Sequence, residues 1–200
     1  MPVRVAVIYY SATGNVYALA RAVAEGAKER GAEVALRRVA ELAPDTAIDA
    51  NPAWRAHVDA TKDTVPEATL QDLEWADAYA FGTPTRFGLP TSRLKQFMDQ
   101  AGGLWQAGTM ADKPVTTFTS AMNRHGGQKS TILAVNNVFY HWGCLIVPPG
   151  YTDPLLYSAG GNPYGTSWPS GGGEGPDDTT LEAARYQGER LVRFAEKLVS

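Results

Sequence analysis

The chain has 200 residues, 44% hydrophobic and 20% charged, enough for one domain with a sizeable core, and its net charge of −3 excludes nucleic-acid binding driven by a basic stripe. The single cysteine, Cys144, excludes an internal disulfide and suits a reducing compartment, so a cytoplasmic protein is expected. No basic stretch leading into a long apolar segment opens the chain, and no apolar run nears the ~20 residues of a membrane span, so neither a signal peptide nor a membrane anchor is expected.

Residues 3–10 are β-branched and aromatic with almost no polar interruption, the pattern of a strand buried on both faces of a parallel sheet. The run stops at Ser11-Ala12-Thr13-Gly14-Asn15-Val16, and a helical pattern follows with Ala18, Leu19, Ala22, Val23 and Ala27 on one stripe. A second strand is expected over residues 33–39. Residues 40–66 carry Pro44, Pro52 and Pro66 with weak periodicity, which predicts an irregular excursion with a helical turn near Trp54 and a solvated His57. A short helix over 67–75 and a third strand over 76–82 come next. A helix over 91–100 then stops at Gly102-Gly103, and a fourth strand covers 113–118. A helix over 130–141 and a fifth strand over 144–148, holding a buried structural Cys144, complete the sheet. Residues 149–178 are rich in Gly, Pro, Ser and Tyr and predict a long loop. The last helix carries Leu181, Ala184, Leu191, Phe194 and Leu198 on its apolar face. Five strand–helix units without an internal repeat predict an α/β fold: one doubly wound, five-stranded parallel sheet with helices on both faces. Ligands in that architecture sit at the carboxyl ends of the strands.

The loops after strands one, three and four hold the residues with ligand chemistry. Between a strand and a helix, the first loop presents backbone N–H groups, the positive end of a helix dipole and the hydroxyls of Ser11 and Thr13, a cradle for one terminal phosphate. It lacks the Gly-Lys-Ser/Thr of a Walker A loop and the Gly-x-Gly-x-x-Gly of a dinucleotide fold. After the third strand, Thr83-Pro84-Thr85-Arg86-Phe87-Gly88 can offer amides and a cation to the pyrimidine end of a flavin, with Phe87 to stack and Gly88 to permit close approach. The three histidines form no recognisable metal set, and no Ser-His-Asp or Cys-His arrangement emerges.

Tyr9-Tyr10-Ser11, Gly82-Thr83-Pro84-Thr85-Arg86-Phe87-Gly88, Asp99-Gln100-Ala101-Gly102-Gly103-Leu104-Trp105, Pro148-Pro149-Gly150-Tyr151 and Ala184-Arg185-Tyr186-Gln187-Gly188-Glu189 together resemble the WrbA family. The resemblance runs essentially end to end. It implies a flavodoxin-like domain over residues 1–200 and an FMN-dependent NAD(P)H:quinone oxidoreductase assembled as a homotetramer. The implied FMN contacts are Ser11, Ala12, Thr13, Gly14, Asn15 and Val16 for the phosphate, and Pro84, Thr85, Arg86, Phe87 and Gly88 for the ring. Ser120, Ala121, Met122, Asn123, Arg124 and His125 form the third segment, with His141 reaching the flavin. Trp105 is implied to wall the quinone and nicotinamide pocket of a neighbouring subunit. Two positions depart from the family pattern: Thr13 stands where an aromatic that receives the nicotinamide nucleotide is usual, and Met122, Arg124 and His125 replace a run of small residues. The competing reading is a flavodoxin-type single-electron carrier that docks to redox proteins, which has no need of Trp105.

Overall fold

Strand β1 (Arg4–Tyr9) sends alternate side chains to opposite faces, and the two faces have different covers. Val5, Val7 and Tyr9 pack under α1 (Asn15–Glu29) and α9 (Asp178–Ala195). Ala6, Ile8 and Tyr10 pack under α4 (Leu70–Trp75), α5 (Ser92–Asp99) and α7 (Gln128–Trp142). The computed structural model describes residues 1–199. Strands β2 (Glu33–Arg38), β3 (Ala78–Pro84), β4 (Pro114–Ala121) and β5 (Leu145–Ile146) complete a parallel sheet in the order β2-β1-β3-β4-β5. This is the flavodoxin-like doubly wound order, in which the chain reverses direction across the sheet between β1 and β3.

The sheet gains a strand beyond the expected five. β6 (Ser167–Pro169) lies in the stretch read as a loop and pairs in parallel with the carboxyl end of β4, Thr119 against Ser167 and Ala121 against Pro169. Its place is held by the buried Gln187 of α9, whose amide donates to Thr116 Oγ1 at 2.6 Å and Thr117 O at 2.9 Å while its carbonyl accepts from Thr166 N at 2.8 Å. Neighbouring Gly188 has a packing reason of its own. A Cβ there would lie 2.1 Å from Val23 O, and one on Gly26 2.0 Å from Arg185 O, so α1 and α9 approach as closely as only glycine allows.

Residues 40–66 differ from the irregular excursion expected. They form α2 (Asp45–Asp49) and α3 (Pro52–Thr61). Two of the three prolines that read as breaks are helix starts: Pro44 caps α2, and Pro52 takes the first position of α3, where its missing N–H costs nothing. Asn51 caps α3 by accepting from the N–H groups of Ala53 and Trp54. Gly102-Gly103 likewise does not end a helix but opens a short one, α6 (Gly102–Gln106), which carries Trp105. A further short helix, α8 (Leu155–Ser158), precedes β6. No helix among the described residues is long and apolar enough to cross a membrane, and no group of three or more His, Cys, Asp or Glu there can hold a metal ion.

Candidate cofactor site

Hydrogen bonds join the loops after β1, β3 and β4 at the carboxyl edge of the sheet. Tyr10 N donates to Gly82 O at 3.0 Å, which ties the first loop to β3. Thr85 N donates to Ser120 O at 2.8 Å, and Thr131 Oγ1 donates to Thr85 Oγ1 at 2.6 Å, which tie the second loop to β4 and α7. Val16, Gly82 and Phe118 meet underneath: a Cβ on Gly82 would lie 2.2 Å from the Phe118 ring and 2.9 Å from Val16 Cγ1.

In the first loop, Ser11 Oγ accepts from Gly14 N at 3.1 Å, and Gly14 sits at φ 93° immediately before α1. Ala12 and Val16 are buried, while Thr13 is exposed and Asn15 half-buried with its amide near Thr13 Oγ1. The backbone N–H groups of Thr13, Asn15 and Val16 find no acceptor among the described residues, as the first turn of a helix leaves them. Unfilled N–H groups and two hydroxyl groups, with no basic side chain, make a donor set fitted to a phosphate monoester at a helix N-terminus.

The second loop carries backbone strain at Phe87. Its φ of 53° lies in the left-handed region that a bulky residue adopts only at a cost, and its ring is fully exposed. Arg86 and Leu89 exchange backbone hydrogen bonds at 2.8 and 3.0 Å, and Gly88 N donates to Thr85 Oγ1, which fixes the turn. Among the described residues the Arg86 guanidinium hydrogen-bonds to the carbonyl of Thr85 and forms no ion pair with an acid. Pro84 closes β3 opposite Ser120. In the third segment, Ser120 and Ala121 belong to β4, which runs further than residues 113–118. Met122, Asn123, Arg124 and His125 are exposed at its end.

His141 and Trp105 lie elsewhere in the chain's own fold. The helix α7 starts at the cofactor edge, and at about 1.5 Å per residue it carries His141 roughly 20 Å towards the opposite edge. There Trp105 Nε1 donates to His141 O at 2.7 Å. The structure therefore brings Trp105 and His141 together and separates both from the three loops of the same chain.

Two features escaped the residue pattern. His57, expected to be solvated, is half-buried behind the first loop: its ring lies 5.5 Å from that of Tyr17, and a Cβ on Gly14 would sit 3.6 Å from its Nδ1. Burial holds its pKa below the usual histidine value. Glu41 accepts hydrogen bonds from Tyr10 Oη at 2.8 Å, Trp54 Nε1 at 2.9 Å, Ala43 N at 2.9 Å and Arg93 Nε at 3.2 Å. It thereby pins the excursion and α5 to the strand end that leads into the first loop. Cys144 matches the structural role expected of it, with Sγ donating to Met110 O at 3.3 Å and burial pushing the thiol up to about 12.

A flavodoxin-like sheet with a cradle of backbone and hydroxyl donors and an exposed aromatic at the β1/β3 reversal defines a flavin-binding class of protein. The NADPH-dependent FMN reductase family matches residues 3–152, and the chain belongs to that family. The resemblance to the WrbA group holds. The chain is 44% identical to the "NAD(P)H dehydrogenase (quinone)" of Deinococcus radiodurans, over 99% of this chain and 98% of the relative. It is 40% identical to the protein of that name from Aromatoleum aromaticum, over 98% and 97%. Among solved structures it resembles a flavodoxin, WrbA-like protein from Agrobacterium tumefaciens at TM-score 0.67 and 24% identity, covering 98% of each chain. An archaeal flavodoxin matches at TM-score 0.65 and 16% identity, over 96% of this chain and 99% of the other.

Proposed function

We propose that the chain, acting as a single cytoplasmic domain, reduces quinones to quinols with electrons from NAD(P)H through bound FMN. The observation that carries the reading is the cluster of N–H and hydroxyl donors from Ser11 to Val16 beside the strained, exposed Phe87 at the reversal point of the sheet. The name shared by the relatives at 40 and 44% identity supports the substrate pair. When bound, FMN supplies the redox chemistry, accepting hydride from the nicotinamide and giving two electrons to quinone. The chain's part is to hold and orient. The N–H groups of Thr13, Asn15 and Val16 and the hydroxyls of Ser11 and Thr13 take the phosphate. The Phe87 amide, which has no acceptor among the described residues, the Arg86 cation and the Phe87 side chain receive the ring, and the Ser120 to His125 segment closes the other side. Changing Ser11 and Thr13 together to Ala is expected to weaken FMN binding at least tenfold, since hydrogen bonds to a charged partner contribute about 1.5–3 kcal/mol each. Fluorescence titration of apoprotein with FMN measures this, and Thr13→Ala alone is the cleaner control because it spares the Ser11–Gly14 turn.

The assembly in this reading is a homotetramer. Trp105 and His141 lie at the wrong edge to serve their own cradle, so they complete the site of another copy. Exposed apolar side chains stand at both edges, Trp105, Tyr140 and Leu145 at one and Phe87, Leu89 and Met122 at the other, which suits burial between copies.

Quinone and nicotinamide occupy one shared space by turns. Initial rates with quinone varied at several fixed NAD(P)H concentrations are therefore expected to give parallel double-reciprocal lines. Anaerobic mixing with NADH or NADPH should bleach the yellow protein. If both nucleotides leave the colour untouched while dithionite removes it, the chain is an electron carrier and the enzyme reading fails.

A further inference from the structure

A cleft lies apart from the first loop. It measures about 500 Å³, within the range of small-ligand sites, and lies between the third loop, the N-terminal turn of α7, β6 and the start of α9. We propose that this cleft receives the 2′-phosphorylated adenosine of NADPH and makes NADPH the preferred reductant. The inference rests on the reading of the chain as an NAD(P)H-dependent reductase, and specifies which nucleotide it selects and where.

Position is the first argument. The wall at Gly127 and Ser130 touches the ring loop directly: a Cβ on Gly127 would lie 3.0 Å from Gly88 Cα, and one on Gly88 3.0 Å from Ser130 Oγ. A dinucleotide with its nicotinamide over the 85–88 loop thus has this cleft beside it for its other end.

Charge is the second. Arg124, His125 and Lys129 line the cleft, and none of their side chains forms a hydrogen bond or ion pair with any described residue. That is not the habit of this chain, whose Arg4, Arg37, Arg38, Arg55, Arg93 and Arg185 each hold a carboxylate. Two permanent cations and an imidazole therefore gather on one wall of a protein with net charge −3. The first turn of α7, Gln128 to Ser130, also lines the cleft and brings the positive end of the helix dipole to it. The one carboxylate on the wall, Asp177, is engaged as the cap of α9, accepting from Thr180 N at 2.7 Å.

Shape is the third. Trp168 lines the cleft, and its Nε1 donates to Glu174 O at 3.2 Å, which fixes the plane of an indole on which a purine can stack. NADH and NADPH share the adenine and the pyrophosphate. The 2′-phosphate is the added dianion, and an arginine fork beside a lysine is the arrangement that recognises it.

The test is calorimetric titration of the FMN-loaded protein with adenosine 2′,5′-bisphosphate and with 5′-AMP. The wild type is expected to bind the bisphosphate at least tenfold more tightly, and the double variant R124A/K129A to bind both equally. In Lys129→Ala alone, NADPH should lose at least threefold in flavin reduction rate at subsaturating nucleotide while NADH keeps its rate. Equal affinity for the two probes in the wild type overturns the proposal, as does a preference that survives in R124A/K129A. Loss of FMN from a folded Lys129→Ala, with the melting temperature as the check on folding, overturns it too by assigning the cleft to the cofactor. Selection of the bisphosphate by a protein whose flavin neither nucleotide bleaches keeps the site and removes the reductase reading instead.

Discussion

Truncating Trp105 to alanine is expected to leave a folded, yellow protein whose quinone reduction falls roughly five- to hundredfold in kcat/KM. The indole is 53% exposed, and α6 contributes no buried residue to the core. Its one polar tie is the bond to His141 O. Such a side chain contributes little to the stability of its own chain, whereas a core tryptophan changed to alanine costs about 3–5 kcal/mol. Stacking of an aromatic side chain on a planar ring contributes about 1–3 kcal/mol, which sets the expected range. Trp105 lies far from the loops of its own chain, so in the proposed tetramer the loss acts across an interface. Light scattering of the wild type should give a tetramer. Hybrid tetramers of Trp105→Ala with a partner chain crippled in its FMN loop should recover the sites in which an intact Trp105 faces an intact cradle. Full turnover per flavin in Trp105→Ala, or a fully active monomer, sinks the shared site.

The sheet and its loops were legible because their signals are local. An apolar run broken by Ser-Ala-Thr-Gly and followed at once by helical spacing describes a strand, a turn and a helix whatever surrounds it. Residues 40–66 were not, because α2 and α3 are too short to persist on propensity and are held by distant partners. Arg55 reaches both Asp45 and Asp49, and Glu41 gathers Tyr10, Trp54 and Arg93 from three separate elements. Strand β6 was hidden for a related reason, since three residues in a Gly- and Pro-rich stretch pair only because Gln187 fixes the chain beside β4. His57 stood in the same blind region, and only the folded excursion sets it behind the first loop. The edge on which Trp105 and His141 sit follows from topology alone, since His141 lies at the far end of α7 and Trp105 just beyond the far end of α5, and both helices start at the edge of the three loops.

Glu41 offers the largest expected effect on stability. Its side chain is 15% exposed and accepts four hydrogen bonds, two of them from aromatic groups over which Arg93 also lies, at 5.5 Å from Tyr10 and 5.7 Å from Trp54. Replacing it with alanine strands Arg93, Tyr10 Oη and Trp54 Nε1 together, and removing one member of such a network is expected to cost about 2–3 kcal/mol, or roughly 5–10 °C in Tm. Glu41→Gln keeps the shape and one acceptor oxygen, so it should cost less and isolate the charge. The pH dependence fixes the sign. Burial on its own raises the pKa of Glu41, but the Ala43 amide, the Tyr10 hydroxyl, the Trp54 indole and the Arg93 cation outweigh it and hold the carboxyl below its ordinary value of 4.5. A group depressed in the folded state stabilises fully above its unfolded pKa and loses that contribution as pH falls through the folded one. The gap in Tm between the wild type and Glu41→Gln should accordingly be constant near pH 7 and close as pH drops below about 4.5. Tyr10 leads directly into the first loop, so Glu41→Ala should also weaken FMN binding while leaving Ser11 and Thr13 in place. Equal melting temperatures for wild type and Glu41→Ala at pH 7 would show that the excursion is held by apolar packing alone, with the four bonds contributing nothing.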